Sequence, residues 1–136
     1  KDLILKTGDV LFTTSSETPR DVGMSSVWLN RLNNVYLNSF CFGYRLFVNV
    51  NLYFMAYYLR SSSFRRKITF LAQGISRFNI SKNKVMEVAI LKPSTTEEQQ
   101  AIGDFFQNLD NLLTEQKSKL DNLQKVKQSL LFKMFV

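Results

Sequence analysis

Four cations fall within eight residues, Arg60, Arg65, Arg66 and Lys67, with no acid between them. Clustered guanidinium and ammonium groups suit phosphate oxygens, which take several charge-assisted hydrogen bonds at once. The same cluster would also serve as a solvated face. Two polar stretches carry the other candidate groups. Ser15, Ser16, Thr18 and Arg20 lie in a loop punctuated by Pro19 and Gly23, and Gln73, Ser76, Arg77 and Asn79 lie in a second loop ending at Ser81. Arginine matches a guanine edge, and glutamine or asparagine an adenine edge. These eight residues are therefore candidates for contact with bases or with a nucleic-acid backbone, although polar loops are common and do not by themselves fix a ligand.

Other chemistry is excluded by composition. The chain has no histidine and one cysteine, Cys41. That leaves no Ser-His or Cys-His nucleophile, no imidazole acid–base catalyst and no zinc site of the usual kind. No G-x-x-x-x-G-K-S/T loop is present, and neither Pro19 nor Pro93 has a proline neighbour of the kind a methyltransferase N/D-P-P-Y/F element needs. No acidic cluster with a lysine suits nuclease metals. No catalytic residue, metal or cofactor is expected. A lone cysteine points to a reducing compartment. No run of 18 apolar residues exists, so no membrane span is expected.

The charge is unevenly placed. The net charge of the 136 residues is +7. Residues 1–93 carry 13 Lys/Arg against 5 Asp/Glu, and residues 94–136 carry 5 against 6. All the excess positive charge sits in the first part, as a polyanion-binding domain requires. The composition shift at Lys92-Pro93-Ser94 divides the chain into a basic globular part, 1–93, and a nearly neutral helical part, 94–136.

The elements that must hold the candidate groups are partly legible. Gly8 to Thr14 reads as a turn into a strand, and Phe42 to Asn49 alternates as a second strand with Phe42, Tyr44, Leu46 and Val48 on one face. Asn51 caps an apolar helix, Leu52 to Leu59, in which Leu52, Met55, Ala56 and Leu59 share a face. Core packing is the main reading of Tyr57 and Tyr58, with base stacking as the alternative. Ser61-Ser62-Ser63 breaks this helix, and Phe64 to Ile68 resumes a short one. Ser81 opens a short turn through Val85, and Val88 to Leu91 reads as a strand.

Pro93 and Ser94-Thr95-Thr96 signal a helix entry. Ser94 with Glu97, Thr95 with Glu98 and Thr96 with Gln99 each fit a capping box, and the sequence does not choose among them. The helix runs to about Lys133, roughly 50 Å at 1.5 Å per residue. Its seam alternates steps of four and three through Ile102, Phe106, Leu109, Leu113, Gln116, Leu120, Leu123, Lys127, Leu130 and Met134. That is a heptad pattern, too long to bury on a domain of this size, and it calls for a second helix, the alternative being a terminal helix folded onto its own domain. Gln116 and Lys127 would set register, or simply reach past the seam to solvent.

In order, Gly8-Asp9-Val10-Leu11-Phe12, Leu59-Arg60-Ser61, Ala72-Gln73-Gly74-Ile75-Ser76-Arg77-Phe78-Asn79-Ile80-Ser81, Ile90-Leu91-Lys92-Pro93 and Glu98-Gln99-Gln100-Ala101-Ile102-Gly103 precede a heptad helix ending in Lys127-Gln128-Ser129-Leu130-Leu131. This series resembles the specificity subunit of type I restriction–modification systems. The resemblance implies an α+β fold: a target-recognition domain over 1–93, expected to lack its N-terminal portion, followed by a long coiled-coil spacer helix over 94–136. It implies a non-catalytic, cytoplasmic subunit of a bacterial or archaeal complex that binds double-stranded DNA. It also implies docking of methyltransferase subunits and, through them, a restriction subunit, with helices packed antiparallel. A second copy of the chain, or other sequence, would supply the second helix. The rival expectation is an interaction module that dimerises through the helix and binds DNA weakly or not at all; a nuclease is a distant third.

Overall fold

The structure, a computed structural model, describes residues 4–135. The described residues combine short strands with helices, the α+β class expected. Strands β1 (Val10–Thr13), β2 (Ser15–Ser16), β3 (Ser25–Val27) and β4 (Cys41–Tyr44) are followed by helices α1 (Leu52–Arg60) and α2 (Ser62–Phe70). Strand β5 (Phe78–Asn79), α3 (Lys82–Met86) and α4 (Thr96–Met134) complete the order. Contacts divide the chain into two compact units, residues 1–103 and 104–136.

In the first unit, β3, β1 and β4 form an antiparallel sheet with β1 in the centre. Alternation along β1 sends Val10 and Phe12 into the core while Leu11 and Thr13 are only half-buried. The Phe12 ring stacks on Phe42 and Tyr44 of β4, at centroid distances of 5.5 and 6.0 Å. Helix α1 covers this face with Phe54, Met55 and Leu59, and α2 adds Phe64 and Ile68. Tyr58 belongs to the same packing: its ring lies against Phe54 and Phe64, and its hydroxyl accepts the Leu91 N–H at 3.1 Å.

The start of α1 follows the capping expectation, whereas Ser62 and Ser63, read as a break, already belong to α2. The Asn51 side chain accepts the Phe54 N–H at 2.9 Å. Ser61 both ends α1 and caps α2, its Oγ accepting the Phe64 N–H at 3.3 Å. At the entry to α4 the Thr95 Oγ1 accepts the Glu98 N–H at 3.3 Å, which selects the middle of the three capping registers.

Two strand expectations are corrected. The second strand stops at Tyr44 and does not run on to Asn49. Its ladder partner begins at Val10, and the chain before Val10 turns away through Gly8 and Asp9, so among the described residues none pairs with residues 45–49 in a ladder. Residues 88–91 form no strand, because no ladder partner among the described residues lies beside them; the Leu91 N–H goes to Tyr58 and the Ala89 carbonyl accepts Lys67 Nζ at 3.4 Å.

The first turns of α4 are part of the globular unit. Gln99 is 1% exposed and Ile102 packs on the core. Gly103 lies so close to the start of α1 that a Cβ there would meet Asn51 Oδ1 at 2.8 Å and the Phe54 nitrogen at 3.1 Å. Gly103 has poor helix propensity, yet its missing side chain is what allows this close approach.

Candidate nucleic-acid interface

Helix α1 ends at Arg60 and α2 begins two residues later, so the end of one helix and the first turns of the next face the same loop. The result is a cleft of about 450 Å³ lined by Arg20, Asp21, Met24, Arg60, Ser62, Arg65, Arg66 and Thr69. Arg20, assigned to a loop by sequence, thus joins three of the four clustered cations. Asp21 is the one acid in the lining, and it is engaged by the Thr18 hydroxyl at 2.6 Å.

The arginines divide the work. Arg65 donates to three main-chain oxygens, Gly23 at 2.6 Å and Arg20 and Val22 at 2.8 Å. Arg60 donates through Nε to the Ser25 carbonyl at 2.7 Å. These two hold the 20–25 segment in place. Burial, and then the positive charge of Arg60, pull the Arg65 guanidinium below its ordinary pKa, while Asp21 pulls the other way. Packed like charges of this kind gain from an incoming anion. Among the described residues, the Arg20 and Arg66 side chains have no hydrogen-bond or ion-pair partner, so their donors face the cleft unengaged.

Lys67 does not join them. It lines a neighbouring apolar groove with Ser63, Phe70, Leu71, Val88 and Ala89, which Arg66 also borders.

The two polar loops come together, although both read as unpaired in the sequence. Ser15 pairs with Asn79 and Ser16 with Phe78, as the β2–β5 ribbon. Gln73 and Asn79 exchange backbone hydrogen bonds at 2.9 and 2.8 Å. The Arg77 guanidinium donates to Ser15 Oγ at 3.2 and 3.3 Å. The Thr18 N–H donates to Ser16 Oγ at 3.4 Å, closing a local turn. Ser76 is exposed on the loop. No composition signal could have shown this pairing, since its partners are more than sixty residues apart.

A second feature escaped sequence reading. Asp9, 5% exposed, meets the Arg45 guanidinium in two bonds of 2.8 Å, and also accepts the Lys6 N–H at 2.8 Å. Burial would raise the Asp9 pKa; the Arg45 hydrogen bond, the Lys6 N–H and the nearby positive charges outweigh it and hold the carboxyl below its usual range. The pair forms one wall of a hollow of about 270 Å³ lined by Leu5, Leu11, Leu37, Tyr44 and Phe47. Each partner satisfies the other, so the pair reads as structural.

Among the described residues no group of three or more His, Cys, Asp or Glu side chains could hold a metal ion, and no helix is long and apolar enough to cross a membrane.

In the second unit the heptad seam stands in solvent. Phe106, Leu109, Leu113, Leu120, Leu123, Leu130 and Met134 are all exposed, Leu113 by 68%, as are Gln116 and Lys127. Ile102, the first predicted seam position, belongs instead to the globular packing.

A basic α+β unit leading into a long helix defines a fold already seen in a specificity protein. The chain is similar to the type I restriction–modification system S subunit from M. genitalium, known from a crystal structure, with a TM-score of 0.71 at 20% identity. The match covers 99% of this chain and 34% of that one, so the chain spans about a third of its length. No curated protein matches the chain. The family described as the type I restriction modification DNA specificity domain matches residues 1–125, and the chain belongs to it.

Proposed function

We propose that the chain is a sequence-reading part of a type I specificity subunit. It binds double-stranded DNA and directs methyltransferase subunits and, through them, a restriction subunit, without catalysing a reaction itself. The observation that carries this reading is the cleft of Arg20, Arg60, Arg65 and Arg66, where two guanidinium groups fix the backbone and two remain available for phosphates. The ribbon bearing Ser15, Ser16, Gln73, Arg77 and Asn79 would present polar groups to base edges. Residues 1–93 act as the target-recognition domain and 94–136 as the spacer helix, in the cytoplasm of a bacterium or archaeon. The exposed seam pairs with a second, antiparallel helix from another copy or from further sequence, and serves partner subunits.

Retention on double-stranded DNA as a function of salt tests the reading. The affinity should fall with a log–log slope of about −0.9 for each phosphate neutralised. The exposed seam favours a second reading, an interaction module that assembles through its helix. A stable dimer with no DNA retention at low salt would establish that module and refute the first.

A further inference from the structure

The Ile75 side chain is 98% exposed at the turn of the loop joining Gln73 to Asn79. Single exposed apolar residues are ordinary on protein surfaces; this one stands on a loop held from several sides. The Gln73–Asn79 hydrogen bonds close its base, the ladder to Ser15 fixes Asn79, and the Arg77 guanidinium folds back onto Ser15 Oγ. Gly74 has φ +143°, and a Cβ there would run into the Arg77 carbonyl oxygen, so the chain turns tightly just before Ile75. Phe78 is drawn inward against the core. Ile75 is left as the loop's one outward apolar group. Its β-branched side chain has few χ1 states, so little freedom is lost when it meets a surface.

We infer that Ile75 reads DNA by apolar contact with the C5 methyl group of a thymine in the major groove. This rests on the DNA-binding reading above and adds a residue that determines specificity. A two-stranded ribbon fits the major groove, where the thymine methyl is the apolar mark that distinguishes one base from the others. An isoleucine offers nothing to a phosphate or to a hydrogen-bonding base edge, so its position on the loop that leads into the ribbon fits that mark and no polar one.

The test uses the whole chain and a pool of random-sequence duplexes. Retained duplexes are sequenced for the wild type and for Ile75→Ser. The best-retained duplex is then remade with deoxyuridine replacing each thymidine in turn, which removes one methyl group. At one position the wild type should lose about fourfold in affinity, the worth of one buried carbon, while Ile75→Ser binds both duplexes equally. The salt slope should be the same for the two proteins. An unchanged sequence preference in Ile75→Ser overturns the inference. So does an affinity loss in Ile75→Ser that deoxyuridine reproduces nowhere, which marks a wedge between base steps. Salt-dependent retention without any enriched sequence defeats this inference and leaves DNA binding standing; no retention at low salt defeats both.

Discussion

Gln99 and Asn51 are joined away from water: the Gln99 Oε1 accepts the Asn51 N–H at 3.1 Å, while the Gln99 Nε2 donates to the Pro93 carbonyl at 3.0 Å. One buried amide therefore ties the cap of α1 to the approach to α4. Gln99→Leu keeps the volume but leaves two main-chain groups unanswered. It should destabilise the globular unit by about 2 kcal/mol, read as a lower urea midpoint at unchanged slope.

Gly103→Ala runs against propensity. In an open helix alanine would gain about 1 kcal/mol over glycine. Here the new Cβ meets Asn51 Oδ1 and the Phe54 nitrogen, and overpacking of this kind costs about 1–3 kcal/mol. Denaturation should show no stabilisation, and a net loss if the backbone contact cannot give way; a clear gain would refute the close approach.

Asp9 sets an acid limit on stability. Its folded pKa lies below the unfolded value of about 3.9. The carboxylate's contribution is therefore present above the unfolded value and is lost as pH falls through the folded one. Asp9→Asn should lower the unfolding midpoint at pH 7 and flatten its decline in acid. Parallel acid limbs in the two proteins would contradict the assignment.

The arginines of the cleft should separate by role. Arg20→Ala with Arg66→Ala should leave the unfolding midpoint unchanged and reduce the DNA salt slope by about 1.8, two phosphate contacts at about 0.9 each. Arg65→Ala frees three carbonyls and should lower the unfolding midpoint. Equal effects of both changes on stability would erase the distinction.

On α4, Leu113→Asp with Leu120→Asp places charges on the exposed seam. Self-association, or capture of a methyltransferase subunit, should be lost in sedimentation and co-purification, while the globular unit keeps its unfolding midpoint. Retention of both associations would remove the seam from the interface.

What the sequence made legible was local. Asn51 and the Ser94-Thr95-Thr96 run announce helix starts because a cap acts within three residues; the start of α2 at Ser62 was hidden inside a serine run that reads as a break. The heptad seam is equally local and gives α4 its length. What stayed hidden depends on distant partners. Ser15 and Ser16 become a strand only because Phe78 and Asn79 lie beside them, and Tyr44 ends β4 because β1 begins at Val10. Strand β3 is three residues with two serines and carries little periodicity of its own. In the candidate site, the charge run at 60–67 signalled cationic character, but not that Arg60 and Arg65 hold a loop, that Arg20 joins them, or that Lys67 turns elsewhere.

Arg65 grips the oxygens of Arg20, Val22 and Gly23, and main-chain oxygens are the same in every amino acid. The course of that segment is thus set without help from the side chain at position 20, while the Thr18 hydroxyl on Asp21 adds a local clasp. The charge at that position can therefore be rewritten while the line on which it is written stays put. Replacing Arg20 with other residues should yield folded proteins that differ in how tightly they hold DNA, whereas Gly23, whose Cβ would press on Ile68 at 2.6 Å, stays fixed.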